Sequence, residues 1–358
     1  MLWYDILFRP PDIFIVHGEN NETFWINMVV QLDLLRDYEP FYYFAVVVEF
    51  FFNIGVSVTM PILCVFSLKL KIIHVNLTYV GAYLCFALTF FSVGRLVEIP
   101  YETRYWPIQG FGYFPIPLAH GVRMFGMINL LFVSMAISSE RVFATVFLSN
   151  YERDTRPWVA GLVCSSCAAI AIVATYFVVR GYVNGYILAF AAVAPHISSI
   201  FVFRYISKKN RGKLELMNDS LSRKGLSIYS LSLRVQLREN VWIAKIIAPI
   251  FDLLLVCLTA VLSVVVVPAL IFTQPSDFWK LELCVCTSNL AIAVGVFTVS
   301  LAIFYPLWKI EQRRGRKERS LSLSERSCED TIEKSRRDTK SYFDQLGDQW
   351  NLAMTRKH

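Results

Sequence analysis

The chain has 358 residues, of which 55% are hydrophobic and only 18% charged, with a mean hydropathy of +0.47. Soluble domains carry about 25% charged residues, so this composition excludes an ordinary soluble fold. The net charge of +7 does not point to nucleic acid, because the basic residues stand between and after long apolar blocks, as membrane topology requires.

Residues 1–40 read as an external N-terminal segment. The apolar run in Met1–Gly18 is broken by Asp5, Arg9, Pro10, Pro11 and Asp12. It lacks the basic leader and small-residue cleavage site of a secretory signal. Asn21-Glu22-Thr23 is an N-glycosylation sequon in this segment. Seven apolar blocks follow within residues 41–308: Phe41–Leu68, Leu77–Ile99, Leu118–Phe147, Trp158–Val179, Tyr186–Ile206, Ile246–Phe272 and Leu281–Trp308. Each reaches the ~20 residues needed to cross a ~30 Å hydrocarbon core. Backbone groups cannot stay unpaired in lipid, so each block is predicted to be helical, giving an all-α, seven-helix membrane bundle. Pro61, Pro195, Pro249, Pro268 and Pro306 are expected to bend or locally open their helices.

Lysine and arginine set the expected orientation. With the N-terminus outside, 28 of the 35 fall on the cytoplasmic side. The seven on the other side are Arg9, Arg36, Arg95, Arg104, Arg123, Arg180 and Lys280. The segment Ser207–Asn240 reads as a long polar cytoplasmic loop, and residues 309–358 as a cytoplasmic, basic, Ser-rich tail. That tail offers two readings: a basic patch on anionic lipid, or phosphorylation at Ser320, Ser322 and Ser324 that weakens such a contact. The sequons at Asn76 and Asn218 fall on the cytoplasmic side and should stay bare. Seven of the eight cysteines lie in apolar blocks and Cys328 in the tail, so no external disulfide is expected.

Ionisable residues inside the blocks are candidates for function. Glu49 and Asn53 share a face of the first block, Arg95 and Glu98 lie near the outer end of the second, and Arg123 near that of the third. Glu49 with Arg95 is a plausible pair, serving either packing or ligand contact. Glu140-Arg141 closes the third block at its inner end. Arg141 there either snorkels to mark the boundary or acts as a switch. His196, beside Pro195, reads as a hydrogen-bonded packing residue.

Local motifs sharpen this. The third block ends Ser138-Ser139-Glu140-Arg141-Val142-Phe143-Ala144-Thr145, followed by Asn150-Tyr151-Glu152-Arg153. Ahead of the sixth stands Leu231-Ser232-Leu233-Arg234-Val235-Gln236-Leu237-Arg238-Glu239-Asn240. Near the end are Tyr342-Phe343-Asp344-Gln345-Leu346 and Trp350. The set, in this order, resembles the nematode serpentine chemoreceptors of class epsilon, the Sre family. The resemblance implies a G-protein-coupled receptor in the plasma membrane, in sensory neurons. It further implies a small-molecule ligand bound among the outer helix halves, and a heterotrimeric G protein meeting Glu140, Arg141, Arg234, Glu239 and Asn240. Rhodopsin-like details do not transfer: Val142 follows Arg141, no cysteine stands at the outer end of the third block, and the last block ends Phe304-Tyr305-Pro306-Leu307-Trp308. No nucleotide-binding or zinc-protease motif is present, so neither a cofactor nor catalysis is expected. The rival reading is a seven-helix ligand-gated channel or small transporter; a transporter would show paired broken helices in two halves, and no such repeat is visible.

Overall fold

A computed structural model describes residues 14–17, 23–26, 30–69, 74–106, 115–147, 157–183, 185–224, 231–272, 275–305, 308–309 and 312. An antiparallel pair opens it: β1 (Phe14–His17) runs against β2 (Thr23–Ile26), with Phe14 opposite Ile26 and His17 opposite Thr23. This hairpin is an addition to the all-α expectation, which assigns the N-terminal segment no secondary structure. Asn21 lies outside the described residues.

A 3-10 turn, Leu32–Tyr38, leads into α1 (Glu39–Lys69), followed by α2 (Val75–Glu102), α3 (Pro115–Val146), α4 (Pro157–Val179), α5 (Gly185–Lys224), α6 (Leu231–Ile271) and α7 (Phe278–Tyr305). All seven are long and apolar enough to cross a bilayer. Pro61, Pro195, Pro249 and Pro268 each sit inside a continuous helical assignment, and Pro306 lies outside the described residues.

The one substantial correction concerns the segment after the fifth block. It reads as a polar loop from Ser207 to Asn240, yet α5 continues from Ile206 to Lys224 and α6 already begins at Leu231. The reason is that apolar length reports only the part of a helix in lipid. Beyond the bilayer an amphipathic stripe suffices. Leu237 is fully buried and Met217 nearly so, packed with Leu214 between the two extensions. At 1.5 Å per residue the α5 extension reaches about 27 Å past Ile206.

The bundle is built around α2 and α3, which bury half of their central residues, whereas α6 buries 6% of its own. Two glycines explain the intimate α2–α3 contact. A Cβ on Gly94 would stand 2.7 Å from both the Ala119 carbonyl oxygen and the Arg123 amide nitrogen, and one on Gly126 2.5 Å from Phe91 Cβ. In lipid, helices associate through such small residues because there is no hydrophobic drive between them. Apolar layers fill the rest, including Val56, Met60, Leu88, Phe91 and Val296 in one, and Ile200, Phe203, Ala244 and Phe251 in another. Only Arg104, with φ 59°, lies in the left-handed region among the non-glycine described residues; it turns the chain off α2 and pairs with Asp33.

Candidate functional site: two polar clusters in the bundle

Arg95, Glu98 and Glu102 recur at i, i+3 and i+7 on α2, so they line one stripe of that helix. Opposite them, Glu49 comes from α1, and His120 and Arg123 from α3, drawn close by the Gly94 contact. The guanidinium of Arg95 forks onto Glu49, Nε to Oε1 at 2.6 Å and Nη2 to Oε2 at 2.9 Å. Its Nη1 donates to Glu102 at 2.5 Å, whose other oxygen accepts from Tyr42 Oη at 3.2 Å. Glu98 is shared: Oε1 lies 3.0 Å from His120 Nδ1 and Oε2 accepts from Arg123 Nη1 at 2.6 Å. Arg123 Nη2 then reaches Asn289 Oδ1 of α7 at 2.8 Å.

None of these side chains is reached by solvent to more than a few per cent. Burying ions costs several kcal/mol each unless the geometry compensates. Here it does so by mutual pairing, with three carboxylates facing two guanidiniums and one imidazole. The network joins α1, α2, α3 and α7 near the end of the bundle where α2 finishes. An open apolar groove of about 400 Å³, lined by Phe90, Pro117, Leu118, Gly121, Val122, Phe125 and Val179, lies on the face of α3 turned away from it.

The second cluster lies at the opposite end, where α3 finishes. Arg141 forks onto its neighbour Glu140, Nε to Oε2 at 2.5 Å and Nη2 to Oε1 at 2.7 Å. Its Nη1 donates to Asn240 Oδ1 of α6 at 2.8 Å. Both charges are buried. Arg141 is therefore held by protein partners rather than snorkelling to water. Around it, Glu239 accepts from the His74 amide at 2.8 Å, Asn210 of α5 donates to Thr145 at 3.1 Å, and Ser138 donates to the Ser199 carbonyl at 3.1 Å.

The structure thus brings Glu49, Arg95 and Arg123 into one network, and Glu140, Arg141 and Asn240 into another. Asn53 stands apart from the first: its Nδ2 donates to the Glu49 carbonyl at 3.0 Å, and its Oδ1 has no partner among the described residues. Glu239 meets the His74 amide at the start of α2. The side chain of Arg234 and the residues Ser320, Ser322 and Ser324 lie outside the described residues. His196 is a packing residue, bonded to Ser134 Oγ at 2.7 Å and set against Phe251. Sequence reasoning missed Tyr42, Glu102, His120 and Asn289. The i, i+3, i+7 repeat of Arg95, Glu98 and Glu102, and the i, i+3 pair His120 and Arg123, were the available signals.

Seven membrane-length helices, with a buried Glu–Arg fork tied from α3 to α6, define a multi-pass membrane protein. The particular family follows from comparison: the family model of Sre G protein-coupled chemoreceptors matches residues 111–351, so the chain belongs to that family. It is similar to three Caenorhabditis elegans proteins in particular. Serpentine receptor class epsilon-37 is 23% identical over 94% of this chain and 99% of its own length, and class epsilon-31 is 23% identical over 79% and 85%. Class epsilon-1 is 24% identical over 67% of this chain, and the match spans 62% of that relative's length. The family is one of receptors rather than enzymes.

Proposed function

We propose that this protein is a plasma-membrane chemosensory receptor that binds an external small molecule and activates a heterotrimeric G protein. Its N-terminal segment (1–40) faces outside, residues 41–308 form the bundle, and the tail (309–358) lies in the cytoplasm, as the 28-to-7 split of basic residues favours. The cells are sensory neurons, by family resemblance. The observation that carries the reading is the Arg141 lock. A buried charge tied to α6, the least buried helix of the bundle, is a two-state element at the cytoplasmic face. An outward shift of α6 parts Arg141 from Asn240 and opens a cleft flanked by the α5 and α6 extensions, which suit a G protein.

At the outer end, the ionic network sets the register of α1, α2, α3 and α7. A ligand that exchanges with one of its partners alters the packing of all four helices, and so biases the lock. Function here needs no catalytic step and no cofactor.

The test is removal of the switch charge without stranding its neighbour. Arg141→Ala alone takes both fork bonds from the buried Glu140 carboxylate, at a cost of up to about 3–5 kcal/mol. The pair Glu140→Gln/Arg141→Ala removes both charges. It is expected to reach the surface and bind ligand normally while agonist-driven nucleotide exchange on the G protein falls at least tenfold, since ~1.4 kcal/mol shifts a two-state balance by that factor. Wild-type exchange from the pair at equal surface density would refute the reading.

A further inference from the structure

Buried ion pairs hold both clusters described above, whereas a pair that joins α5 to α6 is open to its surroundings. Arg204 Nη2 of α5 donates to Asp252 Oδ1 of α6 at 2.6 Å, with the two side chains 57% and 49% exposed. Their depth is set by helix geometry. Arg204 lies about 28 Å along α5 from Gly185, and Asp252 about 28 Å along α6 from Ile271. A ~30 Å hydrocarbon core puts the pair at its inner edge, level with lipid phosphates.

The same face continues as a ladder of cations. Lys208 and Arg211 follow Arg204 at i+4 and i+7 on α5, and Lys245 stands seven residues ahead of Asp252 on the antiparallel α6; all three are exposed. By helical phase they project within about 40° of the pair, at depths of about 6 to 10 Å further into the cytoplasm. Arg211 also bonds Glu215 at 3.0 Å; among the described residues, Asp252 and Glu215 are the acids paired with this ladder. Arg204 uses one nitrogen on Asp252, and a guanidinium has further donors in a fork that fits phosphate. Cations spread over this depth suit more than one phosphate.

We propose that Arg204, Lys208 and Arg211 of α5, with Lys245 of α6, seat the headgroup of a polyphosphorylated phospholipid of the inner leaflet, whose phosphate competes with Asp252 for Arg204. The Arg204–Asp252 bond ties α6 to α5, and α6 also carries Asn240 of the lock. Exchange of Asp252 for phosphate loosens that tie, so the bound lipid favours the outward shift of α6. The assignment to the inner leaflet rests on the orientation proposed above, and this last step also on the lock; the chemistry of the seat rests on neither.

The test uses the full-length receptor in nanodiscs of phosphatidylcholine doped with phosphatidylinositol bisphosphate, or with phosphatidylserine at matched charge, and reads retained lipid by native mass spectrometry. Wild type is expected to retain the bisphosphate lipid preferentially. Arg204→Ala/Lys208→Ala is expected to weaken it about 25-fold, from the usual contribution of two cations at a membrane surface. Asp252→Asn, which removes the competing carboxylate, is expected to strengthen it. Lys209→Ala/Lys213→Ala removes the same charge from the far flank of α5, away from the seat, and is expected to cost clearly less. Equal retention of phosphatidylserine at matched charge, equal loss in both double variants, or unchanged retention in Asp252→Asn would each overturn the seat. No agonist or G protein is present, so failure here leaves the signalling reading intact, and failure of signalling leaves lipid retention unaffected.

Discussion

Asn240→Ala cuts the Arg141 lock at its α6 end while sparing the Glu140–Arg141 fork. The bond lost is 2.8 Å long and has a charged donor. Hydrogen bonds to charged groups contribute about 1.5–3 kcal/mol. At 1.4 kcal/mol per factor of ten, the resting equilibrium moves about 10- to 150-fold toward the open state. An open state populated at about 1% at rest then rises to between roughly 10% and half. Ligand-free nucleotide exchange should rise about tenfold or more at matched surface density. Asn240→Asp tests the same idea with the opposite sign. A carboxylate at that position pairs with Arg141 more strongly than an amide, so basal exchange should fall below wild type. Basal exchange that is the same in Ala, Asp and wild type would refute the lock as a restraint on α6. A rise in both would mean that Asn240 shapes the G-protein surface directly.

Three further outcomes follow from the same structure. Glu98→Gln leaves Arg123 facing a neutral amide in place of a carboxylate, and should lower stability by about 3–5 kcal/mol, read as a fall in melting temperature in detergent; an unchanged melt would mean that water already serves that charge. Gly94→Val places atoms on the Ala119 and Arg123 backbone, where the added Cβ alone stands at 2.7 Å, and should abolish surface expression in a cell-surface binding assay, whereas Gly161→Val, with open space around it, should not. Asn21→Gln should remove one glycan, and an epitope at residue 20 should be stained on intact cells, with one at residue 350 stained only after permeabilisation; a stained tail on intact cells would reverse the orientation.

The seven spans were legible because lipid imposes one rule on every block: enough apolar length, with all backbone bonds made internally. The same rule ends at the membrane surface. Lys208, Lys209, Arg211 and Lys213 read as loop, although they continue α5, because once water is available only the Leu214–Met217–Leu237 contact marks the helix. The pairing of Glu49 with Arg95 was foreseeable from depth alone. The α3 part of the network was not, since His120 and Arg123 meet Glu98 through the close α2–α3 approach at Gly94, and a single glycine in an apolar block does not reveal which helix it meets. The Glu140–Arg141 fork is a similar case. Adjacent helical residues point about 100° apart, so mutual pairing is not their default, yet long side chains folded back against the α6 wall bring it about.

The central claim is that ligand occupancy at the outer face is read by a G protein at the inner face, with no current through the bundle. The direct measurement is a chemical screen in cells that report G-protein dissociation and membrane current at once, with the Glu140→Gln/Arg141→Ala pair run in parallel. The account predicts a ligand that dissociates the G protein in wild type, fails to do so in the pair, and passes no current in either. A ligand-gated current that persists in the pair, without G-protein dissociation, would contradict it.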